Sequence, residues 1–379
     1  MPGAKRRKMD KTKVLFKMFY LYHKAAFDPL IELFENDPEY DVALSLTHEV
    51  ERAFGLFDKD QTKKYLQEFE NQGHRISDEK ENFDIVFAPD VVDEKKYGDA
   101  LLCLIYHGIT FTKTVTYREL KKHADHRYII FAEGDQSEES LIESGCIGNS
   151  EVVKVGYPKM DPYFKNWNFD RNEILNSLGL DPDKSVVLFA PTYKPTCIND
   201  LKDAIFEGTK DYNLIIKLHH YAWLGKYASH KQHKIFEDRI EKYPHTIIIP
   251  KDDYNILPLL YITDTLVSEA SGAITEFLGT GKTGVIYNLD QDSLKHSDGE
   301  ALLRFDNREY LKDSFVHIYT PYQLQAGIEL ALKPTVEMKK AQKTDRDKIF
   351  FKLDGKASMR VKQKVEQLIS ERNQYFKFN

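Results

Sequence analysis

The chain reads as two consecutive series of short apolar runs, each run followed by a helix-like or polar segment. That rhythm limits what the chain can fold into more tightly than any other feature. From Lys13 onward the first series has a strand at Val14–Tyr20, a helix through Pro29–Phe34, and strands at Tyr40–Leu46, Phe83–Phe87, Leu101–Tyr106, Tyr128–Phe131 and Val152–Val155. Short apolar runs alternating with helical segments predict an α/β domain built on a parallel sheet. Trp167–Asp183 breaks the rhythm with a short helix (Arg171–Leu178), Gly179 as its C-cap and the turn Asp181-Pro182-Asp183. A second series follows at Ser185–Phe189, Asn213–Lys217, Thr246–Ile249, Thr265–Ser268 and Val285–Tyr287. The expected architecture is therefore two tandem Rossmann-like domains, 13–170 and 171–345, facing across a cleft. A basic disordered tail (1–12) precedes them and a helical segment (346–379) follows, with Met359, Val361, Val365 and Leu368 toward one face of a helix over Ala357–Arg372. Ligands are expected at the carboxyl ends of the strands, where they face the cleft.

The 379 residues suit two domains, and 54 Lys+Arg against 60 Asp+Glu give a net charge of −6, which argues against a general nucleic-acid binder. Cys103, Cys146 and Cys197 are scattered without a CxxC pair. They indicate neither a disulfide framework nor a structural zinc site, and point to a reducing cytoplasm. No apolar run approaches the roughly 20 residues that span a bilayer. Lys5-Arg6-Arg7-Lys8 has no apolar stretch after it, so it is not a secretory signal. It reads either as a solvated tail or as a peripheral contact with anionic lipid.

The segment Ile256–Asp290 reads as helix, strand, small-residue turn, helix and strand, with Glu269-Ala270-Ser271-Gly272 as the turn and Ala273–Leu278 as the following helix. Free backbone N–H groups and the positive end of the helix dipole suit a phosphate there. Ser271 and Gly272 allow close approach, and Glu276, one turn further on, suits the hydroxyls of a ribose. An ordinary βα turn with a serine N-cap fits the same residues. His107-Gly108 follows a strand, with Lys113 shortly after; the histidine is a candidate general base or a histidine satisfied locally. Pro191, Thr192, Tyr193 and Lys194 follow another strand, and Thr192 and Lys194 are candidates for phosphate contact. His219-His220 closes a third. His219 is a candidate donor to a diphosphate oxygen, and a shared metal is disfavoured because adjacent side chains on an extended chain diverge. The acidic triplets Asp181–Asp183, Asp290–Asp292 and Asp345–Asp347 lie in polar segments and read either as composition or as contacts to a metal-bound nucleotide.

Taken in order, His107-Gly108, GYPKMD (Gly156–Asp161), FAPTYK (Phe189–Lys194), KLHH (Lys217–His220), the turn segment and DGKASMRV (Asp354–Val361) resemble the CDP-glycerol glycerophosphotransferase family from about residue 100 to the end. This resemblance implies a GT-B fold, a CDP-activated polyol donor, no cofactor and no bound metal. It implies a teichoic-acid- or capsule-type polymer or lipid-linked acceptor, reached from the cytoplasmic face of the membrane as a peripheral protein close to a bare catalytic unit. By position it makes His107 and His219 the catalytic pair and places Gly108 and Lys113 on the acceptor side. Pro191, Thr192, Lys194, Ser268, Glu269, Ser271, Gly272 and Glu276 form the implied donor-binding set. The chain departs from the family pattern at Glu269-Ala270-Ser271-Gly272, where Asp-Tyr-Ser-Ser is usual, at Glu276, where Asp is usual, and at His220, where Pro is usual. The Ser-Gly…Glu arrangement is also similar to nucleotide-sugar 2-epimerases and other GT-B glycosyltransferases. A non-catalytic nucleotide-binding protein is a third reading.

Overall fold

The computed structural model describes residues 11–47, 49–53, 57–165, 170–224, 231–269 and 271–378. The basic cluster Lys5–Lys8, Ala270 of the turn and Trp167 at the break lie outside the described residues. The first half contains strands β1 (Thr12–Met18), β2 (Tyr40–Leu46), β3 (Val50–Ala53), β4 (Phe57–Asp60), β5 (Ile85–Ala88), β6 (Leu101–Leu104), β7 (Tyr128–Ala132) and β8 (Glu151–Lys154). The second contains β9 (Val186–Phe189), β10 (Asn213–Ile216), β11 (Thr246–Ile248), β12 (Thr265–Ser268), β13 (Val285–Tyr287) and β14 (Val316–Ile318).

Each half is a six-stranded parallel sheet, in the orders β2-β1-β5-β6-β7-β8 and β11-β10-β9-β12-β13-β14. The strands read as unbroken apolar runs because helices cover both sheet faces. Along β1, Val14, Phe16 and Met18 enter one core and Leu15 the other. Along β9, Val187 and Phe189 face one way and Val186 and Leu188 the other. Each such side chain, fully buried, contributes about 1.5–3 kcal/mol. Strand order reverses between β1 and β5 in the first sheet and between β9 and β12 in the second. A crevice opens at the carboxyl ends of strands at such a reversal.

The halves are packed together. Ile109, Phe111, Tyr157 and Met160 of the first half share one apolar cluster with Leu188, Leu266 and Phe277 of the second. The C-terminal region differs from the expected 346–379 segment, because one helix, Val336–Ile349, runs across that boundary and the last, Ala357–Phe378, returns to the first half. Val361 and Val365 enter the first-half core and Ile369 packs against it, one face at i, i+4 and i+8. Met359 lies two residues, about 200°, from Val361 and is 47% exposed, so the expected face is corrected there. Asp161 of the GYPKMD motif caps this helix, accepting the Ala357 amide at 2.9 Å and the Ser358 amide at 2.7 Å. No helix among the described residues is long and apolar enough to cross a membrane.

Candidate active site

Loops from both reversal points meet in the cleft. On the first-half side, β6 runs into Ile105-Tyr106-His107, and the His107 ring opens to the cleft. The segment after β1 folds over it: the His23 ring centroid lies 4.7 Å from that of His107, and Tyr22 lies 5.2 Å away. On the second-half side, β10 ends at Lys217-Leu218-His219, and the His219 ring lies 4.7 Å from Tyr193, 5.2 Å from Tyr221 and 5.5 Å from Tyr22. Tyr22 thus touches both imidazoles, which face one another across a single side chain.

The local hydrogen bonds set the state of each ring. The Tyr221 amide donates to His219 Nδ1 at 3.2 Å, so the neutral ring carries its proton on Nε2 and is a ready donor to an anion. Burial, then the neighbouring His220, His107, Lys217 and Lys113, push the His219 pKa well down. Desolvation inside the cleft and the Lys159 charge lower His107 to about 4, which leaves it neutral and able to accept a proton. Lys113 and Lys217 are each pushed down to about 8, chiefly by burial. A cleft that depresses lysines in this way gains from an anion, which restores their charge.

The turn after β12 supplies backbone. Ser271 caps the helix Gly272–Gly279, its hydroxyl accepting the Ala273 amide at 3.0 Å. Side-chain positions at Gly108 and Gly272 meet no atom within 4 Å, so the chain is unobstructed at both. Lys113 reaches from the first half to the same slot as Ser271, a space of about 10 Å³ shared with Thr112, Thr275 and Tyr310.

Other members of the expected donor set are placed differently. Ser268 is fully buried and donates to Ala190 O at 2.6 Å, tying β12 to the end of β9. Glu269 is also fully buried: Oε1 accepts the Thr192 amide at 2.6 Å and lies 2.9 Å from its hydroxyl, and Oε2 accepts from Cys197 Sγ at 3.1 Å. Burial pushes its pKa up. Both are corrected from ligand-facing to interior: Glu269 holds the Pro191–Cys197 loop in place and Ser268 joins the ends of two strands. Pro191 is buried at the start of that loop and Lys194 is exposed on it. Glu276 is buried and turned toward the first half: Lys159 Nζ donates to its Oε1 at 2.6 Å and Tyr157 Oη at 2.8 Å, both from the first half. Tyr157 and Lys159, which the sequence offers only within the GYPKMD motif, and His23 and Glu49 are not among the expected site residues. The available signal was position, since Tyr157, Lys159 and His23 all follow the carboxyl end of a strand, as His107 and His219 do. Among the described residues, no group of three or more His, Cys, Asp or Glu side chains is arranged to hold a metal ion.

Two Rossmann-type halves facing across a cleft, with a last helix crossing back to the first, define a GT-B architecture. The wall teichoic acid polymerase TagF superposes with a TM-score of 0.66 at 15% identity, covering 95% of this chain and 89% of that one. A putative UDP-N-acetylglucosamine 2-epimerase from Listeria monocytogenes shares the fold at a TM-score of 0.60 and 13% identity, covering 95% and 97% of the two chains. Within that class, the chain belongs to the family described as CDP-Glycerol:Poly(glycerophosphate) glycerophosphotransferase, whose sequence model matches residues 106–367. It is 23% identical over 264 residues to the teichoic acid glycerol-phosphate transferase of Staphylococcus aureus (strain NCTC 8325 / PS 47), covering 67% of this chain and 64% of that protein. It is 23% identical over 186 residues to the teichoic acid glycerol-phosphate primase of Bacillus subtilis (strain 168), covering 47% and 44%. The chain thus spans less than two thirds of either curated relative.

Proposed function

We propose that this protein transfers a polyol phosphate from a CDP-activated donor to a hydroxyl of a polymer or lipid-linked acceptor. The observation that carries the reading is the pair of neutral histidines, one on each wall of a lysine-lined cleft, separated by Tyr22. Family membership supplies the substrate class, and a polymerase of the same fold has been soaked with CDPG. The donor diphosphate lies against Ser271, Gly272 and Lys113. The acceptor oxygen attacks the β-phosphorus and His107 takes its proton. The bond from that phosphorus to the bridging oxygen breaks, and CMP departs with its electron pair. His219 Nε2–H and the turn amides stabilise the charge that develops on the phosphoryl and leaving oxygens. The protein works from the cytoplasmic side, in peripheral contact with the membrane that carries its acceptor.

The test is incubation with CDP-glycerol, CDP-ribitol and UDP-N-acetylglucosamine, each with a primed acceptor. CMP release from a CDP-polyol is expected. A nucleoside diphosphate released from the UDP-sugar, with no CMP from either polyol donor, would move the assignment to a glycosyltransferase or epimerase. Tight CDP binding without turnover on any acceptor would make the protein a non-catalytic nucleotide binder.

A further inference from the structure

The cleft contains a buried carboxylate that the transfer steps leave unused. Glu49, between β2 and β3, is 1% exposed. Its Oε2 accepts the Leu21 amide at 2.7 Å, and its Oε1 pairs with Nε2 of His220 in the second half. Leu21 opens the short helical turn Leu21–His23, whose next two residues are the ones packed on His107. His23 is itself fixed there, its Nδ1 accepting the Phe19 amide at 3.2 Å and the Tyr20 amide at 3.4 Å. His220 directly follows His219, and its buried Nδ1 has no partner among the described residues, so the Glu49 carboxylate is what anchors the ring. One carboxylate therefore connects the segment that holds His107 to the segment that carries His219.

We propose that Glu49 is a positioning residue for the transfer: by gripping Leu21 and His220 across the cleft, it fixes the separation and facing of His107 and His219. Glu49 touches neither the donor nor the acceptor. Its effect reaches the chemistry through the two segments it joins, and a displacement of about 1 Å between reacting groups costs on the order of 10²-fold in rate. The proposal rests on the transferase reading above. A purely structural carboxylate would lower melting temperature and leave turnover of the folded protein unchanged; a positioning carboxylate lowers turnover and leaves donor affinity unchanged.

The experiment measures CMP release at saturating CDP-glycerol and CDP affinity by calorimetry for native protein, Glu49→Gln, Glu49→Ala, His220→Ala and the Glu49→Ala/His220→Ala pair. Glu49→Ala is expected to lower kcat by about 10²-fold with CDP affinity changed less than about threefold, and the pair to be no worse than either single change. Glu49→Gln keeps an oxygen for Leu21 and serves as the milder variant should Glu49→Ala fold poorly. A second readout needs no activity: spin labels at Ile142→Cys and Tyr322→Cys, exposed positions on opposite halves, report the distance across the cleft. The native cysteines are all buried. That distance is expected to broaden in Glu49→Ala. Native kcat in Glu49→Ala, loss of kcat that tracks loss of CDP affinity, or an unchanged distance distribution overturns the proposal. Native protein that releases no CMP sinks the transferase reading and the catalytic part of this one, and the spin-label distance then decides whether Glu49 ties the halves.

Discussion

At the scale of single residues, the cleft is governed by which side chains stay neutral and which stay paired. His107→Ala removes the proposed base and is expected to lower kcat by about 10²–10⁴-fold, checked by single-turnover CMP release with calorimetry for CDP alongside. Desolvation and, after it, the Lys159 charge hold His107 low, and Lys159 pairs with Glu276 in a largely buried position. Lys159→Met should therefore move the acidic limb of kcat/KM upward from about 4, because His107 regains protons more easily once the neighbouring cation is gone. The same change leaves the Glu276 carboxylate buried without its cation, at a cost of about 3–5 kcal/mol for a fully buried pair and less here, where Lys159 retains some exposure. An unmoved limb in the pH profile would rule out the electrostatic link. His107 and His219 were legible in the sequence because each follows an apolar strand, where the cleft of such a fold lies. His23 occupies the equivalent place after β1 but was hidden by reading the strand through to Tyr20. Ser268 and Glu269 show the opposite failure: a polar pair at a strand end looks ligand-facing, and only the fold shows that both turn inward, one to join two strand ends and the other to hold a loop.

At the scale of elements, two short pieces carry separable roles. The cap given by Asp161 to the helix Ala357–Phe378 spans almost two hundred residues of sequence and joins two motifs that looked functional when read as strings. Asp161→Ala is expected to cost about 1–2 kcal/mol, seen as a lower melting temperature and faster hydrogen exchange at the start of the last helix. Protection unchanged there would remove the capping role. The turn before the helix Gly272–Gly279 is different. A side chain at Gly272 meets open space within the protein, so Gly272→Val should leave stability nearly unchanged while raising the donor KM if, as proposed, the diphosphate approaches there. A normal KM in a well-folded variant would move the donor elsewhere. Most elements of the two sheets were legible as unbroken apolar runs. The β3–β4 hairpin was not, since Glu51-Arg52 and Asp58-Lys59 give no apolar signal, and β14, three residues long with His317 at its centre, was too short to stand out.

At the scale of the whole molecule, desolvation of buried His23, and of His219 and the cleft-facing His107, couples acidity to stability. Their folded pKa values lie below the ordinary 6.5, that of His107 at about 4. As pH falls below 6.5 the unfolded chain takes up protons that the folded protein refuses, so these groups make stability fall with acidification over that window. Buried Glu133 and Glu269, with raised pKa values, act in the opposite sense. The histidine contribution is therefore read as a difference: melting temperature should drop more steeply from pH 7 to 5 in native protein than in His23→Gln, and parallel slopes would contradict it. The sequence by itself determined two parallel sheets, because apolar periodicity is a local property of the chain, and strand-end position singled out His107 and His219 as candidates. Tertiary structure decided which side chains share the cleft: Lys159 with Glu276, Glu49 with His220, and Tyr22 between the imidazoles. Each of these depends on how two separately folded sheets are set against one another. That relation is fixed by packing between residues far apart in the chain, and no short-range pattern records it.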